Sequence, residues 1–195
     1  MQNAANVTAD KPKLDGAMKV APVGTKLPTD AKATLDAAFK SLGYISEDGA
    51  TNNKSEDTDE VRAWGGDVVL TLRQGSTNEY TTRLIESMNV EVLKLIYGED
   101  NVTGTLDTGI KVKDNNKPRK PVSIVIETIL KNDVLRRIVI PYAEVVQDGE
   151  INYTDSDATG FDVTFKLQAD SNGNSQYIYI ENAGGGTTSS TTTGR

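Results

Sequence analysis

The stretch Phe161–Gln168 constrains this chain more than any other. Phe161, Val163, Phe165 and Leu167 fall on one side of an extended backbone, and Asp162, Thr164, Lys166 and Gln168 on the other. Strand side chains alternate between faces, so the segment needs an apolar layer beneath it and water above it. The same period recurs along the chain. Val68, Leu70 and Leu72 alternate with Val69, Thr71 and Arg73, and Tyr80, Thr82 and Leu84 with Thr81, Arg83 and Ile85. Val122, Ile124, Ile126, Thr128 and Leu130 line one face of a long strand, and Leu135–Ile140 returns after an Asn132–Asp133 turn. Pro141 lacks the N–H that a central ladder requires, so it predicts the end of that strand. Further turns are expected at Gln147–Asp148–Gly149–Glu150 and Ser171–Asn172–Gly173–Asn174, the second leading into a strand at Gln176–Ile180.

The Gly-containing stretch Gln74–Asn78 predicts a loop joining the two alternating runs on either side of it into a β-hairpin. Trp64, beside Gly65 and Gly66 at the entrance to that hairpin, reads as a core anchor at a bend or bulge. Phe39, Phe161 and Phe165 are the other expected core anchors. Two short helices complete the expectation. Thr29 can cap a helix over Asp30–Leu42, where Leu35, Ala38, Phe39 and Leu42 form one stripe and Gly43 stops the chain. Asn89 can cap a second helix over Val90–Tyr97, ending at Gly98. The fold class is therefore mainly β with one or two short helices.

Composition narrows the chemistry. The chain has 195 residues, no cysteine and no histidine. Disulfides, thiolate nucleophiles, cysteine-ligated zinc and the commonest general base are thereby excluded together. No catalytic, cofactor-binding or metal-binding residue is assigned. A net charge of −7 disfavours a general nucleic-acid-binding surface. Tyr44–Ser46 reads as a short strand ending at Glu47–Asp48–Gly49. Glu47, Asp48, Glu56, Asp57, Asp59 and Glu60 then crowd a stretch containing only Lys54 as a base, but they lack the spacing of a calcium loop, which leaves a solvated acidic loop. Lys111, Lys113, Lys117, Arg119 and Lys120 make the one basic segment, suited to acids on another subunit. Residues 1–20 are polar and small and read as a flexible N-terminal arm, 21–182 as a single β domain, and 183–195 as a disordered Gly/Ser/Thr-rich tail. Neither a secretory signal nor a membrane-spanning run is expected, which places synthesis in a cytoplasm.

Several phrases, in order, resemble a known family. They are Ala21-Pro-Val-Gly-Thr-Lys-Leu-Pro-Thr-Asp-Ala, Leu42-Gly-Tyr-Ile-Ser-Glu-Asp-Gly, Ala63-Trp-Gly-Gly, Leu84-Ile-Glu and Ile96-Tyr-Gly-Glu-Asp-Asn-Val-Thr. Arg136-Arg-Ile-Val-Ile-Pro-Tyr-Ala-Glu-Val and Ile151-Asn-Tyr-Thr-Asp-Ser-Asp-Ala-Thr-Gly-Phe-Asp-Val-Thr-Phe follow. Together, over roughly residues 20–182, they resemble the major tail proteins, or tail tube subunits, of long-tailed, non-contractile bacteriophages. The resemblance implies a β-barrel or sandwich with a flanking helix, six subunits joined into a ring, and rings stacked into the tube that conducts DNA. It also implies a tape measure protein, a tail terminator and tail-tip proteins as partners, with no cofactor and no membrane anchor. The implied location is the virion tail, after assembly in the host cytoplasm. On this reading the opening hairpin and the Val122–Ile140 strand pair form the lumen sheet, with Arg73, Glu79, Arg83 and Glu86 as wall candidates. Glu56, Asp57, Asp59, Lys117, Arg119 and Lys120 are candidates for contacts between rings. DNA would pass without sequence-specific binding.

Two other classes fit parts of the pattern. One is the inner tube of a contractile injection or type VI secretion machine. The other is a carbohydrate-binding or adhesive β-sandwich, for which Tyr177 and Tyr179 would have to present an exposed aromatic face.

Overall fold

A computed structural model describes residues 2–115, 117–147 and 149–184. In chain order its strands are β1 (Lys11–Pro12), β2 (Met18–Pro22), β3 (Lys40–Ser41), β4 (Ile45–Arg62) and β5 (Val68–Leu84). After helix α1 (Val90–Tyr97) come β6 (Val102–Thr103), β7 (Lys111–Val112), β8 (Val122–Ile129), β9 (Val134–Gln147), β10 (Phe161–Leu167) and β11 (Tyr177–Asn182). The expected tail falls outside the described residues from position 185 onward, as do Asn116 in the basic segment and Asp148 in the expected 147–150 turn.

Among the described residues, nine strands form one sheet in the order β3-β2-β8-β9-β10-β5-β4, with β1 also on β8 and β11 also on β9. Every pairing is antiparallel. The sheet forks along β9. Its first half, Val134–Val139, pairs with β11, and its second half, Ala143–Gln147, pairs with β10. The strand runs straight through Pro141, contrary to the expected break. A register shift opposite Pro141, between Val122 and Ile124 of β8, removes the need for its missing N–H, and the Ser123 hydroxyl donates to the Pro141 carbonyl at 2.7 Å.

The fork lets the sheet enclose its main core. Phe161, Val163 and Phe165 of β10 meet Tyr80 and Leu84 of β5, Ile124, Ile126 and Ile140 of β8–β9, and the buried α1 residues Val92, Leu93, Leu95 and Ile96. Asn89 caps α1 by accepting from the Glu91 N–H at 3.0 Å, and the Gly98 N–H closes its end on the Lys94 carbonyl. Tyr97 meets Phe161 edge to face, with centroids 6.2 Å apart. A second core lies on the opposite face of β8–β9, where Ala21, Phe39, Val125 and Val139 are joined by Leu27, Leu35, Ala38, Tyr177 and Tyr179.

The segment expected to be a helix over Asp30–Leu42 is turns followed by β3. Its apolar stripe divides between the two cores: Leu42 enters the main one, and Leu35, Ala38 and Phe39 enter the second. The carbonyls of Asp30 and Ala33, which a helix would have used internally, accept instead from the Arg137 guanidinium at 2.8 Å each. Long-range packing overrides a valid local pattern here.

Part of the segment expected as an N-terminal arm is paired into the sheet. Lys11–Pro12 and Met18–Pro22 pair with β8, and Met18 is fully buried.

Candidate functional site

Two surfaces of this molecule are left open in a way that calls for a partner. The first is a ribbon. β4 and β5 pair from Ala50–Thr82 out to Arg62–Val68 and turn over Ala63–Asp67. Gly65 and Gly66 hold φ of 121° and 100°, a backbone open to glycine but strained for other residues. Beyond Asn78 every residue of the ribbon is exposed on both faces. Its free part, Ser55–Arg62 against Val68–Thr77, extends roughly 25 Å at about 3.3 Å per residue.

This arrangement corrects three sequence expectations. Gln74–Asn78 is not a loop, because β5 continues through it with a bulge between Arg73 and Gly75. The acidic stretch 47–60 is not a loop either but most of β4. Trp64 is not a core anchor: it stands fully exposed at the ribbon tip. Phe39, Phe161 and Phe165 are buried. β4 was illegible as a strand because neither of its faces is buried, so nothing selects an apolar alternation.

Cross-strand partners share a face, so the ribbon's two sides can be assigned. Leu70 and Leu72 lie with their partners Val61 and Asp59 on one side, while a register shift after Val61 pairs Val68 with Arg62. Thr71 and Arg73 lie with Glu60 and Thr58 on the other. All three apolar side chains of the first side, Val61, Leu70 and Leu72, are exposed. Arg73 pairs with Glu56 at 2.8 Å, and Arg62 pairs with Glu60 at 2.5 Å.

The second open surface is the mouth of the sandwich. The register of β8, β9 and β11 sets two rows across its floor, Ile126–Ile138–Ile178 and Thr128–Arg136–Ile180. Ile45 and Tyr80 from the base of the ribbon contribute to the facing side of this groove, with Tyr44 beside them. Ile178 and Ile180 remain 51% and 55% exposed. Arg136 holds Asp10 through Nη1, at 2.9 and 3.1 Å, while its buried Nε has no acceptor. Glu86 fixes another part of the lining by accepting from the Tyr44 N–H and from Asn89 Nδ2, both at 2.9 Å. Gly43 is needed beside it, since its φ is 73° and a side chain there would collide with the Glu86 carboxylate.

Behind that floor, a buried ion cluster keeps the strands in place. Glu127 accepts from Arg137 Nη2 at 2.7 Å and from Nε at 3.2 Å, and it also pairs with Lys19 at 2.9 Å and Lys13 at 3.2 Å. Burial pushes the Glu127 carboxyl up, but its hydrogen bonds to Arg137 and Lys19 outweigh that and hold it at about 2. Arg137 therefore joins β8, β9 and the Asp30–Ala33 turn into one unit. The cluster is structural and offers no proton near neutral pH.

The wall candidates do not share one surface. Arg73 is on the ribbon and Glu86 lines the mouth. Glu79 and Arg83 lie on the outer face of β5, opposite Lys166 and Asp162 of β10. Arg83 approaches Asp162 at 3.6 Å and Asp157 at 4.0 Å. The Val122–Ile140 pair carries buried core residues on both faces, Ile124, Ile126 and Ile140 on one and Val125 and Val139 on the other.

Of the candidates for contacts between rings, Glu56, Asp57 and Asp59 lie on the ribbon. Arg119 braces α1 internally, donating to the Ile96 carbonyl and to the Val145 carbonyl at 3.4 Å. Lys120 lies near Glu99 and Asp100, at 3.5 and 3.8 Å, while Lys117 is exposed. Tyr177 and Tyr179 pack against the second core, so the strand face invoked for a carbohydrate platform is half-buried. The sequence reading missed the role of Ile178 and Ile180. Their alternation with two tyrosines, leaving β11 no polar side, was the available signal.

No group of acidic side chains among the described residues could hold a metal ion, and no helix among them is long and apolar enough to cross a membrane. The sequence matches no curated protein. A family model described as phage tail tube protein matches residues 13–191. That match takes in the ribbon and every strand of the main sheet but β1, and it places this chain in the phage tail tube protein family.

Proposed function

We propose that this structural tail protein forms hexameric rings that stack into the tube through which DNA leaves the virion. The observation that carries the proposal is the ribbon: a two-stranded extension with apolar residues bare on one side is poorly stable by itself and gains a covered surface only in an assembly. The family match supplies the kind of assembly, a tail tube.

In this reading, the assembling β domain expected over residues 21–182 also takes in β1 and β2, with the tail at 183–195 outside it. The outer face of β5 and β10 contributes to the lumen. Glu79, Arg83, Asp162 and Lys166 alternate in sign there, so a passing phosphate backbone meets no continuous basic track on which to stall. Glu56, Asp57 and Asp59 meet Lys117 and Lys120 of other copies. A tape measure protein sets the length inside the tube, tail-tip proteins start it and a terminator closes it. No cofactor takes part and no catalytic step is assigned.

The test is negative-stain electron microscopy of the concentrated protein, alone and with its tail-tip complex. Hollow tubes with six-fold end views are expected. Tubes of another symmetry, or no polymer even with the tip complex present, would overturn the ring reading.

A further inference from the structure

We infer that the ribbon is a lever that pivots where β10 stops supporting β5, and that the segment entering β11 is the latch holding it at one angle. Strand pairing sets the pivot. β10 lies beside β5 from Leu84 to Glu79, whose partner Lys166 is the last. From Asn78 outward β5 has only β4 beside it. A two-stranded ribbon has little stability of its own, so stiffness drops at that step. Among the described residues, the hydrogen bonds and ion pairs of residues 55–77 all lie within the ribbon. Nothing beyond the step ties the ribbon to the body.

The latch sits at the step itself. The buried Asn78 side chain accepts from Asn52 Nδ2 at 2.7 Å and donates to Ser175 Oγ at 3.0 Å. Two residues further in, the Tyr80 hydroxyl donates to Gln176 Oε1 at 2.8 Å. Ser175 and Gln176 are fixed on both sides. Before them, Asp170 accepts from the Asn172 and Asn174 N–H groups at 2.9 and 3.0 Å and from the Tyr177 hydroxyl at 2.6 Å. After them, Tyr177 pairs with Val139 and packs on the second core. The ribbon therefore takes its angle from the Asp170 turn, and a force on that turn reaches it through two consecutive residues. Asn52, Tyr80 and Gln176 line the open mouth, where water can replace their partners when the ribbon moves. Release then costs the net value of two hydrogen bonds, not the burial of unpaired groups. The device belongs to the single chain and goes beyond the tube reading, which requires no particular ribbon angle.

Double electron–electron resonance on the full-length protein tests this, and the absence of native cysteine makes spin labelling specific. Labels at Thr71→Cys on the ribbon and Lys131→Cys on the β8–β9 turn report the ribbon angle, while Lys131→Cys with Lys166→Cys reports the body alone. All three positions are exposed. Labelled chains are diluted in unlabelled protein so that only distances within one chain are read. With the latch intact, each pair should give one narrow distance distribution. Tyr80→Phe with Ser175→Ala removes both latch bonds but keeps the Tyr80 ring position filled in the core. That double variant should broaden the ribbon distribution and leave the body distribution narrow. Asp170→Ala should do the same, although none of the Asp170 hydrogen bonds reaches the ribbon. A ribbon distribution unchanged in either variant, or already broad with the latch intact, would overturn the inference. Equal broadening of both pairs would overturn it too, because the motion would then belong to the whole body.

Discussion

Two arginine–carboxylate pairs of nearly equal length occupy opposite situations in this molecule. Arg137 and Glu127 meet at 2.7 Å across β8–β9, with side chains only 3% and 4% exposed. Arg73 and Glu56 meet at 2.8 Å across the ribbon, with side chains 60% and 51% exposed. Distance does not separate them; solvent does. In the body, each partner has lost water and depends on the other, so the pair fixes geometry. On the ribbon, water screens both charges, and the pair holds little. The same contrast runs through the strands: β8–β9 has core on both faces, while the outer ribbon has none on either.

Arg137→Ala should break the contrast most. It leaves Glu127 buried beside too few donors and frees the Asp30 and Ala33 carbonyls, at a cost of about 3–5 kcal/mol. Urea unfolding checks this, and a loss below about 1 kcal/mol would place the pair in the same class as surface bridges.

The acid limb of the stability profile sharpens the same point. Glu127 is more acidic folded than its ordinary value of 4.5, so its stabilisation is complete above that pH and disappears as pH falls through about 2. Thermal melts between pH 5 and pH 2 should show that loss in the wild type, in a limb that Glu127→Gln lacks. Equal slopes for the two proteins would assign the acid sensitivity elsewhere.

Asn89→Ala removes the α1 cap, an exchange expected to cost about 1 kcal/mol. It tests the body at a neutral hydrogen bond rather than at a charge. Arg73→Ala should be the mildest, within about 0–1 kcal/mol and dependent on salt. A larger effect on the isolated monomer would mean that the ribbon is coupled to the body beyond its visible contacts.

Much of the body was legible. Phe161–Leu167 alternates because one side meets core, and Asn89 and Gly98 announce α1 by satisfying its ends. The Asn132–Asp133 turn was also readable; both residues adopt positive φ, which Asn and Asp tolerate. The candidate site was much less so. β4 is Glu-, Asp- and Asn-rich with little intrinsic strand preference, and only its pairing with β5 makes it extended. Trp64 carries the largest apolar side chain, yet its place at the tip of a turn leaves it nothing to pack on.

The sequence by itself determined the mainly β class, the short α1 helix and the lack of cysteine and histidine chemistry, because alternation, caps and composition are local properties. Tertiary structure alone decided that Asp30–Leu42 gives its carbonyls to Arg137 instead of to a helix. It also decided that Pro141 sits at a register shift within a strand, and that the mouth gathers Ile126, Ile138, Ile178 and Ile180. Each of these depends on which distant strand lies alongside, and register between distant strands is set by packing across the sheet rather than by any one segment.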